Sequence, residues 1–288
     1  MEYIIHICIL AAIVSIAAIG VNLLVGYTGL LSVGQALYSG VGAYTVAMLQ
    51  LYRGWNFFAA ALCGVAVAMG IACVVGLVLS KFAEDYYTLV TVGFNIIFFS
   101  VLMSWSSLTR GSLGVPGIHR PHIPFIDFTI NFNFLIFSLL ILGFACVVAH
   151  FLTTSSFGRV LAAVREDQKV IQVFGYKVFS YKLAIYIVSA ALAAISGTLV
   201  AAYLTYIDPA TFTVLESITT LSAVILGGLA NFRASILGSV LLVVLPEALR
   251  FIGLPPEIAG QMRNLLYGLL LILLMLYKPE GLMGKYKF

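Results

Sequence analysis

Apolar residues run along this chain in blocks long enough to cross a lipid bilayer, and one polar block in the second half interrupts them. A helix needs about 20 apolar residues to span the hydrocarbon layer. On that measure, spans fall near residues 4–25, 33–51, 57–79, 88–105, 130–151, 183–204, 213–229, 236–251 and 265–277. Several are short or broken by glycine, which makes some of them half-helices, and the expected total is about 8–10 transmembrane helices. No segment shows the roughly ten-residue alternation of a membrane β-barrel strand. The polar block, 155–182, reads SSFGRVLAAVREDQKVIQVFGYKVFSYK. It holds Arg159, Arg165, Lys169, Lys177 and Lys182, five of the fifteen Lys and Arg residues, against Glu166 and Asp167.

Composition turns the pattern into a class. The chain is 62% hydrophobic and 9% charged, with a mean hydropathy of +1.11. Soluble domains carry about a quarter charged residues, so this chain could not cover itself in water. It is expected to be an all-α polytopic membrane protein. No linker rich in Pro, Ser or charge divides it, so residues 1–288 are read as a single transmembrane domain. Glu2 precedes the first apolar run and no Lys or Arg does, which is not a secretory n-region. That run is therefore expected to stay as the first membrane helix. Cys8, Cys63, Cys73 and Cys146 all sit in apolar runs without CxxC spacing, as free thiols acting as small hydrophobes do. His119 and His122 have no thiol or carboxylate close enough in sequence to complete a metal site. No metal, cofactor or nucleic-acid partner is expected.

Loop charge orients the chain, because Lys and Arg concentrate in short cytoplasmic loops. Residues 155–182 and a tail carrying Lys278, Lys285 and Lys287 are expected inside. The loop 205–212, with Asp208 and no basic residue, belongs outside. Three crossings then place Arg233 inside; Lys81 also fits inside, leaving 106–129 outside. The N-terminal parity depends on whether 21–51 is one crossing or a broken pair.

Gly26, Gly29, Gly34, Gly40 and Gly42 punctuate one stretch, and Gly227, Gly228 and Gly238 another. Glycine lets membrane helices approach closely. Non-helical backbone at membrane depth needs protein or a water-filled cavity to satisfy it, and interrupted helices often mark a transport site. Both readings, packing and path, stand at this point. Asn22, Gln35 and Asn95 are the polar side chains deepest in apolar context, placed to bond between helices or to line a path; Gly227 and Gly228 are candidates for the same path. Glu216 lies near a predicted helix start, where the helix dipole alone favours a carboxylate.

As a helix over 157–174, the polar block is amphipathic. Ser155 and Ser156 are cap candidates, and Gly175 is the stop. Val160, Val164, Ile171 and Phe174 fall on one side with Leu161 at the margin, and Asp167 intrudes on the stripe. A membrane-surface helix and a helix seated in a partner's groove explain this equally well.

Four segments carry a family resemblance: NLLVGYTGLLSVGQALYSGVGAY, SSFGRVLAAVREDQ, VILGGLANFRASILGSVLLVVLPEALR and YGLLLILLMLYKPEGL. Together, in this order and over nearly the whole chain, they resemble the branched-chain amino acid ABC importer permeases of LivM type. The resemblance implies a type II-like helical permease in the bacterial inner membrane. It further implies a second LivH-like permease, two ABC ATPase subunits and a periplasmic amino acid-binding protein as partners, with lipid around the bundle. The polar block would be the ATPase coupling segment, with Gly158, Arg159, Arg165, Glu166, Asp167 and Gly175 as its residues. The chain departs from the pattern at Arg110, where the family usually has glycine, and at Thr219, where it often has an acid. These departures bear on the substrate, since permeases for urea or short amides share much of the pattern.

The chain has no G-x-x-x-x-G-K-[ST] phosphate loop, so ATP hydrolysis falls to partner subunits and no catalytic residue is expected. An ion-coupled carrier would need titratable groups in mid-membrane, where only Glu216 qualifies even loosely. A membrane hydrolase or metallo-enzyme would need G-x-S-x-G or H-E-x-x-H, and neither occurs.

Overall fold

The computed structural model describes residues 2–79, 84–123, 126–250 and 281–283, together with Leu265, Gly268, Leu269, Ile272 and Leu276. The expected span at 265–277 falls largely outside the described residues, as do Lys81, Lys278, Lys285 and Lys287. The helices are α1 (Glu2–Thr28), α2 (Gln35–Arg53), α3 (Phe57–Leu79), α4 (Glu84–Ser104), the single turn α5 (Ser106–Thr109) and α6 (Asn131–Thr154). They continue as α7 (Ser156–Glu166), α8 (Gln168–Val173), α9 (Val178–Leu204), α10 (Val214–Gly227) and α11 (Phe232–Arg250).

Among the described residues, α1, α3, α4, α6 and α9 are each long and apolar enough to cross a bilayer alone. The expected spans at 213–229 and 236–251 are instead two arms, α10 and α11, bent by 119° at a short break. At about 1.5 Å per residue, fourteen-residue α10 is shorter than the hydrocarbon layer, so it is a half-helix.

α1 and α9 are the central pillars. Inside the bundle lie 61% of the apolar window of each, against 17% for α6, whose large side chains Leu140, Phe144 and Phe151 face outward. Small residues bring the pillars together. A Cβ on Gly20 would lie 2.9 Å from the Ser189 carbonyl oxygen, and one on Gly42 would strike the Ala194 backbone. At Gly197 it would overlap the Ser39 carbonyl, so α2 and α9 touch backbone to backbone there. Without a hydrophobic driving force between helices in lipid, such close packing carries the association. Gly197→Val is therefore expected to lower the melting temperature of the purified chain by several degrees. Gly70→Val, whose Cβ meets open space, should leave it unchanged; equal melting of the two variants would refute the contact.

Contacts sort the loops to two ends of the bundle. At one end Arg165 donates to the Gly26 carbonyl, and Asn231 donates to the Met283 carbonyl at 2.9 Å. The polar block, the α1 terminus, the α10–α11 tip with Arg233, and residues 281–283 therefore share that end. At the other, Asn131 donates to Glu2 at 3.0 Å and His6 shares a 2.6 Å hydrogen bond with Tyr203. The 106–129 loop is tied down there. Its β1 (Val115–Pro116) pairs antiparallel with β4 (Tyr206–Ile207), and β2 (His122–Ile123) with β3 (Ile126–Asp127). Arg120 donates to the Phe128 and Thr129 carbonyls and lies over the Phe134 and Tyr203 rings. Asp208 caps the 3₁₀ turn Pro209–Phe212 at this same end. α2 begins level with Ser189 and finishes beside His119, so 21–51 is a broken pair.

Candidate functional site

The break between α1 and α2 lies inside the bundle, with Leu30, Ser32 and Val33 buried. Hydroxyls and amides from α4 and α10 replace its missing helical bonds. Thr88 donates to the Leu31 carbonyl (2.9 Å), and the Val33 N–H donates to Thr91 Oγ1 (3.2 Å). Asn95 Nδ2 donates to the Val33 carbonyl (3.4 Å) and to Ser217 Oγ (3.0 Å), and the Ala36 N–H donates to the same Ser217 Oγ (2.9 Å). Irregular backbone survives at membrane depth only with such partners. Thr88, Thr91 and Asn95 recur at helical spacing on one face of α4, a signal that sequence reading missed except at Asn95.

The second break is the α10–α11 tip. Gly228 has φ +122° and Ala230 φ +57°, the left-handed region that favours glycine. A Cβ on Gly227 would overlap the Ala234 carbonyl, and one on Gly238 the Ala223 carbonyl, so these glycines let the two arms pack. Asn22 holds the tip from α1. Its Nδ2 donates to the Gly228 carbonyl (3.0 Å), the Asn231 carbonyl (3.1 Å) and Ser235 Oγ, while its Oδ1 accepts from the Ala230 N–H (2.9 Å).

The polar block is two helices, which corrects the expected single helix over 157–174. Asp167, which looked misplaced on an apolar stripe, is extended (φ −156°) and caps α8. Its carboxylate accepts from the Lys169 and Val170 N–H groups at 2.8 and 3.2 Å. Ser155 sits at the α7 N-cap as expected, though its hydroxyl donates back to the Leu152 carbonyl. Gly175, at φ +85°, ends α8 as expected. Its N–H donates to the Gln172 carbonyl and that of Tyr176 to the Ile171 carbonyl, the paired bonds of a Schellman terminus. Gly158 lets α7 fold back on α6: a Cβ there would lie 2.6 Å from the Thr153 carbonyl oxygen.

Leu161, Val164 and Gly158 are the buried face of α7. The expected stripe is otherwise outward: Phe174 is 73% and Val173 87% exposed. Val160 and Ile171 line an open groove of about 310 Å³ with Arg159, Ala163 and Tyr176. Arg159 is tied to Ser156 Oγ (2.8 Å), and Glu166 is exposed. Arg165 bonds the α1 terminus. Asp167→Ala should cost α8 about 1 kcal/mol, the usual worth of such a cap. Amide exchange at Lys169 and Val170 should rise several-fold while α7 is unchanged.

A cavity of about 60 Å³ with a mainly apolar wall lies between α1, α2, α9 and α10, room for a few waters. Gln35, Ser39, Ser196, Thr211, Glu216 and Thr220 line it, with Ile13, Val14, Val200 and Phe212 as apolar wall. The five path candidates therefore do not form one cluster. Asn22 and Gly228 meet at the tip with Gly227 beside them, Asn95 holds the first break, and of the five Gln35 alone lines this cavity.

A family profile described as "Branched-chain amino acid transport system / permease component" matches residues 3–275. The chain belongs to this family. It is similar to the high-affinity branched-chain amino acid transport system permease protein LivM of Escherichia coli K12, 29% identical over 97% of this chain and 69% of the relative. The LivM protein of Salmonella typhimurium LT2 is 30% identical over 93% and 67%. LivH of Escherichia coli K12 is 24% identical over 94% of this chain and 91% of its own length. The chain is thus a LivM-type, all-α, multi-pass permease component of an ABC system. Arg110 takes φ +58°, the left-handed region that favours glycine. Thr219 donates to the Glu216 carbonyl at 2.8 Å.

Proposed function

We propose that this permease imports branched-chain or related amino acids across the bacterial inner membrane, driven by partner ATPases that dock on residues 155–182. In this reading residues 1–288 form one transmembrane domain, paired with a second, LivH-like permease and served by two ABC ATPase subunits. A periplasmic amino acid-binding protein delivers solute to the end carrying 106–129 and the Asp208-Pro209 turn. The polar block faces the cytoplasm.

The observation that carries the proposal is the bond from Arg165 to the Gly26 carbonyl. It ties an amphipathic element with an outward apolar face to the terminus of α1, four residues from Asn22, which holds the α10–α11 tip. ATPase closure against Val173, Phe174 and the adjoining groove would move α7 and α8 together. That motion would reach both broken segments through α1, rocking them to open a path. Gln35, Asn95, Gly227 and Gly228 lie on those two segments or brace them. This is why a dependent subunit without a phosphate loop can still be driven by ATP.

The test is affinity purification of the chain expressed with its chromosomal neighbours. Recovery of a second permease and ATPases, lost on deleting residues 156–175, is expected. A chain that purifies alone, and transports alone after reconstitution, would overturn the proposal.

A further inference from the structure

Among the described residues, four buried side-chain atoms have no hydrogen-bond partner: Ser32 Oγ, Gln35 Oε1, Tyr44 Oη and Asn95 Oδ1. None of them lies at the α10–α11 tip. Three are on α2 or in the break before it, and Asn95 faces that break from α4. Unpaired buried atoms cost stability and call for an explanation. The two breaks therefore differ: Asn22 closes the tip, while the α1–α2 break is under-bonded.

One face of α4 holds that break. Thr91 donates its hydroxyl to the Thr88 carbonyl (2.8 Å), which leaves its oxygen to accept from the Val33 N–H. Thr88 and Asn95 complete the ladder, the latter at a long 3.4 Å from the Val33 carbonyl. Beyond the ladder, the inner half of α4 packs through Tyr87 against Tyr186. Only 22% of the helix's apolar window lies inside the bundle, and Leu89, Ile96 and Ile97 are more than half exposed. The outer half is seated more firmly. Leu102 is buried, and a Cβ on Gly40 would lie 2.6 Å from Phe98 Cε1, so the Phe98 ring fills a notch in α2. At the α1 end of the break, a Cβ on Gly29 would lie 3.5 Å from Arg165 Cγ, so Arg165 packs there as well as bonding Gly26.

We propose that α4 is a gate: its inner half swings off the α1–α2 break, pivoting where Phe98 meets Gly40, and uncovers residues 31–35 to the solute path. Water and solute then take over the Leu31 and Val33 carbonyls, as they can where irregular backbone lines a cavity. Ser32, Gln35 and Asn95 gain the partners they lack in the closed form. Bonds lost and gained offset each other, which keeps the two forms close enough in energy to interconvert. The tip moves as a closed unit. The proposal rests on the transport reading above and adds which element opens: α7 pulls one end of the break through Arg165, and α4 releases the other.

The test uses the whole assembled transporter in proteoliposomes, with Cys8, Cys63, Cys73 and Cys146 changed to alanine. Gly34, at φ −109°, admits a side chain. Its Cβ would lie 3.4 Å from Thr91 Cβ, close to disulfide spacing, so Gly34→Cys with Thr91→Cys locks α4 to the break on oxidation. Thr45→Cys with Gly64→Cys, at 3.5 Å, locks α2 to α3 as a control. Oxidising the first pair is expected to cut leucine uptake about tenfold or more relative to its own reduced form, and reduction should restore it. The control lock should import equally well oxidised and reduced. Gly34→Cys alone should react with 2-sulfonatoethyl methanethiosulfonate about tenfold faster during ATP-driven import than at rest. Four results overturn the gate: a 34–91 pair that does not cross-link, uptake by complexes fully cross-linked there, equal loss with the control lock, or labelling that ATP and leucine leave unchanged. Wild-type complexes that import no branched-chain amino acid would overturn the transport reading instead, so the two failures are distinguishable.

Discussion

Asn22→Leu is expected to lower the melting temperature of the purified chain by about 5 °C or more and to reduce assembly of the transporter at 37 °C. The Asn22–Ser235 bond alone would not do this, because side-chain bonds between membrane helices average only about 0.6 kcal/mol. The backbone groups decide it. Asn22 satisfies the Gly228 carbonyl and the Ala230 N–H at the tip, whereas the Asn231 carbonyl also accepts from the Ala234 and Ser235 N–H groups. Each group left unpaired in the bundle costs about 1–3 kcal/mol, so these two cost roughly 2–6 kcal/mol. At about 2–4 °C per kcal/mol for a chain of 150–250 residues, a shift of that order follows. Asn95→Leu, which strips its amide donation from one carbonyl and one hydroxyl, should shift melting less. Wild-type melting of Asn22→Leu would show that the tip holds itself.

Arg165→Glu is expected to cut transport more than tenfold and to weaken ATPase co-purification while leaving membrane insertion intact. The guanidinium sits at the C-terminal end of α1, where exposed carbonyls favour a cation. Glutamate there sets like charge against those carbonyls and removes the bond from Arg165 to α1. Arg165→Lys keeps the charge but loses the planar fork and should fall between the two. Uptake in proteoliposomes, ATP hydrolysis and pull-down together separate uncoupling from unfolding. Normal uptake by Arg165→Glu would remove this joint from the mechanism.

Much of the architecture is legible in residue order. The spans at 4–25, 57–79, 88–105, 130–151 and 183–204 each correspond to an observed helix, because burial in lipid demands a long apolar block whatever the neighbours are. The polar block and its glycine stop could be read as well, since a charged stretch between apolar runs has few places to go and Gly175 takes a left-handed conformation. Family membership was carried by four segments in sequence.

What residue order left open was settled by partners far away in the chain. Asp167 clashed with a single-helix pattern because its role is local capping at a break that periodicity averages over. Asn22, Gln35 and Asn95 were visible as buried polar groups, but whether each bonds or lines a path depends on residues more than 60 positions away: Gly228 and Ala230, Ser189, Val33 and Ser217. Apolar length foretells which segments enter the membrane, because lipid judges each segment by itself. Which hydroxyl satisfies which broken helix is decided only when the helices meet, because a hydrogen bond spans about 3 Å and needs both ends in place.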